Sequence, residues 1–134
     1  HAINGLIIQE FMIRPDRAKT FSDAMRICFL VIKNLSKIIK NKGLSISVGD
    51  EGGFAPSLSN NEEAIELILE AVDKSGFKAG TDISICLDIA ANELFKDKRI
   101  DKISLRIEKL EIIKDCSSVG IQISKRRKVS PVVV

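Results

Sequence analysis

Hydrophobic and polar positions alternate along the first ninety residues in a way that predicts four elements. Residues 6–13, Leu-Ile-Ile-Gln-Glu-Phe-Met-Ile, form an almost wholly apolar run that stops at Pro15. A run of this length ending at proline predicts a strand buried on both faces. Gln9 and Glu10 interrupt it, and polar groups in such a strand need a partner or a role. Residues 20–42 carry Phe21, Met25, Cys28, Val31, Ile32, Leu35, Ile38 and Ile39 at helical spacing, which predicts a long amphipathic helix. Thr20 is placed to cap it, Asp23 suits its first turn, and Lys37, Lys40 and Lys42 suit its negative end before Gly43.

Asn60 or Asn61 can cap a second helix. Glu62 and Glu63 fall in its first turn, Ala64, Ile65, Leu67, Ile68, Ala71 and Val72 on its apolar face, and Gly76 at its end. Residues 83–88, Ile-Ser-Ile-Cys-Leu-Asp, then predict a short buried strand with a carboxylate at its C-terminal end. The order strand, helix, loop, helix, strand suits an α/β layered architecture. Beyond Phe95 the pattern weakens. Residues 100–115 fit a helical period only in part, and Val132, Val133 and Val134 make an apolar end with no evident partner.

Charge marks the same boundary. The 134 residues carry a net charge of +3. Residues 1–95 hold 10 Lys+Arg against 13 Asp+Glu, a net of −3, and residues 96–134 hold 11 against 5, a net of +6. Hydrophobic residues at 45% and charged residues at 29% are ordinary for a globular chain and argue against disorder for most of it. The longest apolar run, 27–32, is too short to span a bilayer. Cys28, Cys86 and Cys116 are widely spaced and form no C-x-x-C pattern, which favours a reducing, cytoplasmic setting.

Candidate chemistry concentrates in residues 49–56, Gly-Asp-Glu-Gly-Gly-Phe-Ala-Pro. Three glycines permit unusual backbone conformations and close approach to a ligand, and two adjacent acids can move protons or bind a cation. A surface turn uses the same residue types, so local chemistry leaves both readings open. The segment lacks the Gly-Lys-Ser/Thr ending of a phosphate loop. Glu10 is either a salt-bridged acid or a functional one. Asp88 ends a strand, where (β/α) architectures place catalytic and metal groups. Glu93 reads as a solvated loop residue. His1 is the single histidine, so a zinc site lacks its other ligands. Lys125-Arg126-Arg127-Lys128 could meet phosphates, but no aromatic residue lies beside it for stacking, and nucleic acid is not the expected partner.

Taken together, three segments resemble the enolase family. His1-Ala2 with Gln9-Glu10-Phe11-Met12-Ile13 and Pro15 resembles the family's His-Ala…Gln-Glu-Phe-Met-Ile-x-Pro. Val48-Gly49-Asp50-Glu51-Gly52-Gly53-Phe54-Ala55-Pro56 is similar to its acidic glycine loop. Leu87-Asp88-Ile89-Ala90-Ala91-Asn92-Glu93-Leu94-Phe95 resembles Leu-Asp-x-Ala-x-x-Glu-Phe. The resemblance covers residues 1–97 and implies part of a catalytic domain, with residues 98–134 a divergent basic tail without an assigned fold.

The implied fold is an incomplete (β/α)8 TIM-type barrel of the enolase kind, its strand-helix-helix-strand portion, in which the second strand is antiparallel. The implied activity is that of a lyase, phosphopyruvate hydratase, which reversibly dehydrates 2-phosphoglycerate to phosphoenolpyruvate in glycolysis. By the same resemblance Glu51 is the acid that helps expel the C3 hydroxyl and Glu10 a second carboxylate beside that leaving group. Gln9 lies next to the substrate. Asp88 is one of three carboxylates on a high-affinity Mg²⁺, and His1 sits on a mobile loop that closes over substrate. Metal ions in enolase-superfamily sites neutralise the developing enolate charge. The family commonly forms homodimers and does not engage membranes.

The sequence shows no match to the later metal carboxylates, the lysine base or the phosphate-gripping residues of the family. The expectation is therefore a truncated, drifted or frame-shifted copy that is inactive by itself. The alternative is a non-catalytic remnant or interaction protein without enzyme activity, distinguished by the absence of any response to substrate or Mg²⁺.

Overall fold

The computed structural model describes Leu6, residues 8–88 and the backbone of three short strands at 95–96, 99–100 and 132–133. His1, Glu93, Cys116, the partial helical pattern at 100–115, the basic run at 125–128 and the boundary at 97 lie outside the described residues.

Two helices pack beside an antiparallel sheet. The chain runs through β1 (Glu10–Arg14), α1 (Phe21–Asn41), α2 (Asn61–Lys74), β2 (Ser84–Asp88), β3 (Phe95–Lys96), β4 (Arg99–Ile100) and β5 (Val132–Val133). One sheet has the order β2-β1-β5, and β3 pairs with β4 in a second, two-stranded one. Both neighbours of β1 are antiparallel to it, and Met12 and Ile13 pair with Val133 and Val132. The apolar end of the chain thus has a partner, the edge of β1. An open α/β sheet of this kind is what an incomplete barrel leaves.

The expected strand at 6–13 is shorter and later than its apolar run. Phe11 and Ile13 are buried, while Glu10, Met12 and Arg14 are half-buried. β1 therefore alternates like a strand with one packed face, in place of the expected burial on both faces. Leu6 and Ile8 join the core from an irregular segment that leads into the strand.

The caps are formed as the residue types require. Thr20 Oγ1 accepts the Asp23 N–H at 3.1 Å and starts α1; Gly43, at φ +73°, follows its end. At α2, Asn60 Oδ1 accepts the Glu63 N–H at 2.8 Å, and Glu63 Oε2 accepts the Ser59 N–H at 2.8 Å, a reciprocal arrangement close to a capping box. Every apolar residue assigned to the face of α2 is buried. The helices are tied at Asn34, whose Nδ2 donates to Ser75 Oγ at 2.9 Å.

α1 departs from its predicted face at its N-terminal end. Phe21 is 70% exposed and Ile39 is 1% exposed, although eighteen residues, five full turns, put them on one side of the helix. Met25 is exposed as well. Helical spacing identifies a side, and burial requires a neighbour to cover it. Among the described residues that cover reaches only the rest of the face, from Ala24 and Ile27 to Ile39. Cys28 and Cys86 are buried free thiols whose desolvation pushes their pKa values up. No described helix is long and apolar enough to cross a membrane.

Candidate active site

The antiparallel register of β1 and β2 sets Glu10 opposite Asp88, two residues 78 positions apart in the chain. The Gln9 N–H donates to the Asp88 carbonyl oxygen at 3.0 Å and closes this end of the pair. At the other end Arg14 lies opposite Ser84, and Asp16 joins them: Arg14 Nε donates to Asp16 Oδ1 at 2.6 Å, and Ser84 Oγ donates to Asp16 Oδ2. The strand pair is pinned at both ends, so the facing of Glu10 and Asp88 is fixed by more than the ladder.

The acidic glycine loop supplies the third carboxylate. Val48 and Phe54 form an isolated antiparallel bridge, the Gly49 N–H donates to Gly53 O at 2.8 Å, and the Ala55 N–H donates to Ser47 O at 2.9 Å. Inside this frame the Gly52 N–H returns to Gly49 O at 3.0 Å, which makes Asp50 and Glu51 the two central residues of a tight turn. Gly52 sits at φ +86°, a conformation that side chains with a Cβ disfavour. The segment is therefore a turn, and the turn is what projects Glu51.

Glu51 stands close enough to Glu10 for the two carboxyl groups to share a hydrogen bond. Two ionised carboxylates cannot share a hydrogen bond, so one must hold a proton. That bond is the largest influence on Glu10, followed by burial, the Glu51 charge and the Asp88 charge; together they raise its pKa to about 7. Gln9, Glu10 and Glu51 all line one cleft, whose apolar wall comes from Leu35 and Ile39 of α1 and Leu67 and Ile68 of α2.

Of the residues singled out in the sequence, the structure brings together Gln9, Glu10, Glu51 and Asp88. His1 lies outside the described residues. Among the described residues no group of three or more His, Cys, Asp or Glu side chains is arranged to hold a metal ion. Mg²⁺ takes octahedral oxygen coordination, and Asp88, an exposed carboxylate at a strand end, supplies only part of that. The described residues therefore do not by themselves fit a magnesium site. The apolar wall built from α1 and α2 was not evident in the sequence as part of the site, because core and cleft residues share the same helical spacing.

An open α/β sheet with acids gathered at one end of its strands, beside a glycine-framed loop, is the arrangement of part of an α/β barrel, a class of fold that builds its sites at strand ends. The family described as "Enolase, C-terminal TIM barrel domain" matches residues 1–122, past the change in composition near Phe95. The enolase of Pelagibacter ubique (strain HTCC1062) is 67% identical over 109 residues, which is 81% of this chain and 25% of that protein. The chain thus spans about a quarter of the length of that curated relative. It belongs to the enolase family, within the C-terminal TIM barrel domain.

Proposed function

We propose that this chain contributes the leaving-group side of a phosphopyruvate hydratase active site, which interconverts 2-phosphoglycerate and phosphoenolpyruvate as a step of glycolysis. The observation that carries the reading is the approach of Glu51 to Glu10 in one cleft, with Asp88 opposite on the neighbouring strand; the crowding of these acids raises the Glu10 pKa to about 7. Expelling hydroxide from C3 requires a proton at the departing oxygen, because hydroxide is a poor leaving group. A carboxyl pair that still holds one proton near neutral pH can supply it as a general acid, so that water departs. In this reading Glu51 is the donor, Glu10 keeps the shared proton at the site, and Gln9 contacts the substrate beside them. In the reverse direction the same pair takes the proton back from water adding to C3.

His1 is proposed as a substrate-closing residue and Asp88 as one ligand to Mg²⁺, whose bound charge would offset the enolate charge. Neither role is needed for the proton step above, and the remaining metal ligands and the C2 base are assigned to parts of the barrel outside residues 8–88. A homodimer and a cytoplasmic setting belong to the same reading.

The test is a chimera. The matched 109-residue segment replaces its counterpart in the Pelagibacter enolase, and phosphoenolpyruvate formation is followed by absorbance. The expected result is a working enzyme in which Glu51→Gln lowers kcat about 100-fold or more, the usual range for loss of a general acid. A chimera that folds and works equally well with Glu51→Gln would end the proposal.

A further inference from the structure

Asn61 is the one polar side chain in the buried set of the described residues, at 8% exposure. Nothing in helix formation requires it there. Asn60 already caps α2, and Asn61, at the first helical position, is a weak helix former placed beside Ala64 and Ile65. Burying an amide is unfavourable unless it is hydrogen-bonded. Its partner lies 53 residues away: the Ile8 N–H donates to Asn61 Oδ1 at 3.2 Å.

Ile8 is 2% exposed and precedes β1, so the ladder of that strand does not claim its N–H. The next amide, of Gln9, donates to the Asp88 carbonyl at 3.0 Å. Two successive N–H groups are thus held by two different elements, the first by α2 and the second by β2. The residues that follow are Gln9 and Glu10, both facing the cleft whose wall α2 supplies through Ala64, Leu67 and Ile68.

From this geometry we infer that Asn61 is a positioning residue. Its side-chain oxygen fixes the backbone entering β1 to the start of α2, and so sets where Gln9 and Glu10 stand against Glu51. The catalytic meaning of that placement rests on the function proposed above; the placement itself does not. Asn61 touches no reacting group and acts only through the Ile8 amide.

The experiment uses the 134-residue chain labelled with ¹³C and ¹⁵N. In the unmodified protein, a scalar coupling across the hydrogen bond from the Ile8 nitrogen to the Asn61 side-chain carbonyl carbon is expected. Its absence from a folded chain with dispersed α1 amides overturns the inference. Asn61→Leu removes the acceptor at similar size. The Ile8 amide should then exchange about tenfold faster or more, and the Glu10 and Glu51 carboxyl carbons should shift together, while amide protection at Val31 and Val72 stays unchanged. Asn61→Asp keeps an acceptor oxygen at the same reach and should bring the Ile8 exchange and the Glu10 resonance back toward their original values. A folded Asn61→Leu protein with unmoved Glu10 and Glu51 resonances, or an Asn61→Asp protein that restores neither, refutes the positioning role. If Asn61→Leu fails to fold, the coupling and the Asn61→Asp result decide. No readout involves substrate, metal or turnover, so failure of the enolase reading would appear in the chimera and not here.

Discussion

Ionising Glu10 sets a second negative charge against Glu51 and a third within reach, at Asp88. Folding therefore favours the protonated form, and the group binds its proton more tightly in the folded chain, near pKa 7, than at its ordinary value of 4.5. The sign of the pH dependence follows. Below about 4.5 the carboxyl is protonated in both states and its contribution to stability is complete. As pH rises from there through 7 the folded chain must give up a proton it prefers to keep, and that contribution is lost. The urea midpoint should fall as pH increases from about 5 to about 8. Glu10→Gln keeps a donor toward Glu51 at every pH and should flatten this slope, leaving the variant more stable than the parent at pH 8. Equal slopes for the two proteins would show that Glu10 does not carry the effect. The acids themselves were visible in the sequence. Which of them carries the raised pKa was not, because that depends on the register that sets Glu10 opposite Asp88 and on the turn that brings Glu51 to Glu10.

At the scale of elements, the local rules were most legible. Thr20 and Asn60 cap the helices that their side chains predict, and Gly43 stands at a left-handed position just past the end of α1. Asn60→Ala should destabilise the protein by about 1 kcal/mol, measured by urea unfolding, because the Glu63 N–H loses its acceptor. The acidic loop depends on a different feature. A Cβ built on Gly52 meets nothing within 4 Å, so Gly52→Ala tests the φ of +86° alone. Its cost should be about 1 kcal/mol, with Gly52→Asn between Gly and Ala, since Asn tolerates left-handed backbone better. If Gly52→Ala is neutral, the turn does not need the conformation that projects Glu51. What the sequence did not disclose at this scale is contact. Phe21 and Met25 share helical spacing with the core and are exposed, since a period of 3.6 names a side of α1 without naming its neighbour. The strand at 6–13 was misplaced for a related reason: Leu6 and Ile8 are core residues, but of an irregular lead-in whose Ile8 amide is held by a side chain and not by a ladder.

At the scale of the whole chain, the question is what 134 residues that span about a quarter of a curated relative can do. The described sheet is β2-β1-β5, so strands stand at both of its edges, whereas a closed barrel has none. A (β/α)8 barrel takes about 200–250 residues to close; this chain has 134. In the function proposed above, the cleft gathers the groups that serve the departing hydroxyl, and the two acids whose proximity raises the Glu10 pKa both lie within residues 8–88. Dehydration also needs a base at C2 and charge compensation for a substrate that already carries a phosphate and a carboxylate. Three acids at one end of a sheet repel such a substrate unless cations stand opposite them. The arrangement therefore predicts a division of labour. Added alone to 2-phosphoglycerate and Mg²⁺, the 134-residue chain should give no phosphoenolpyruvate above background, while the same segment in the chimera supports turnover. The two assays share substrate, ion and detection, so a difference between them isolates what the remainder of the barrel supplies. Turnover by the purified chain alone, abolished by Glu51→Gln, would mean that these residues complete a site without that remainder, and the division proposed here would have to be abandoned.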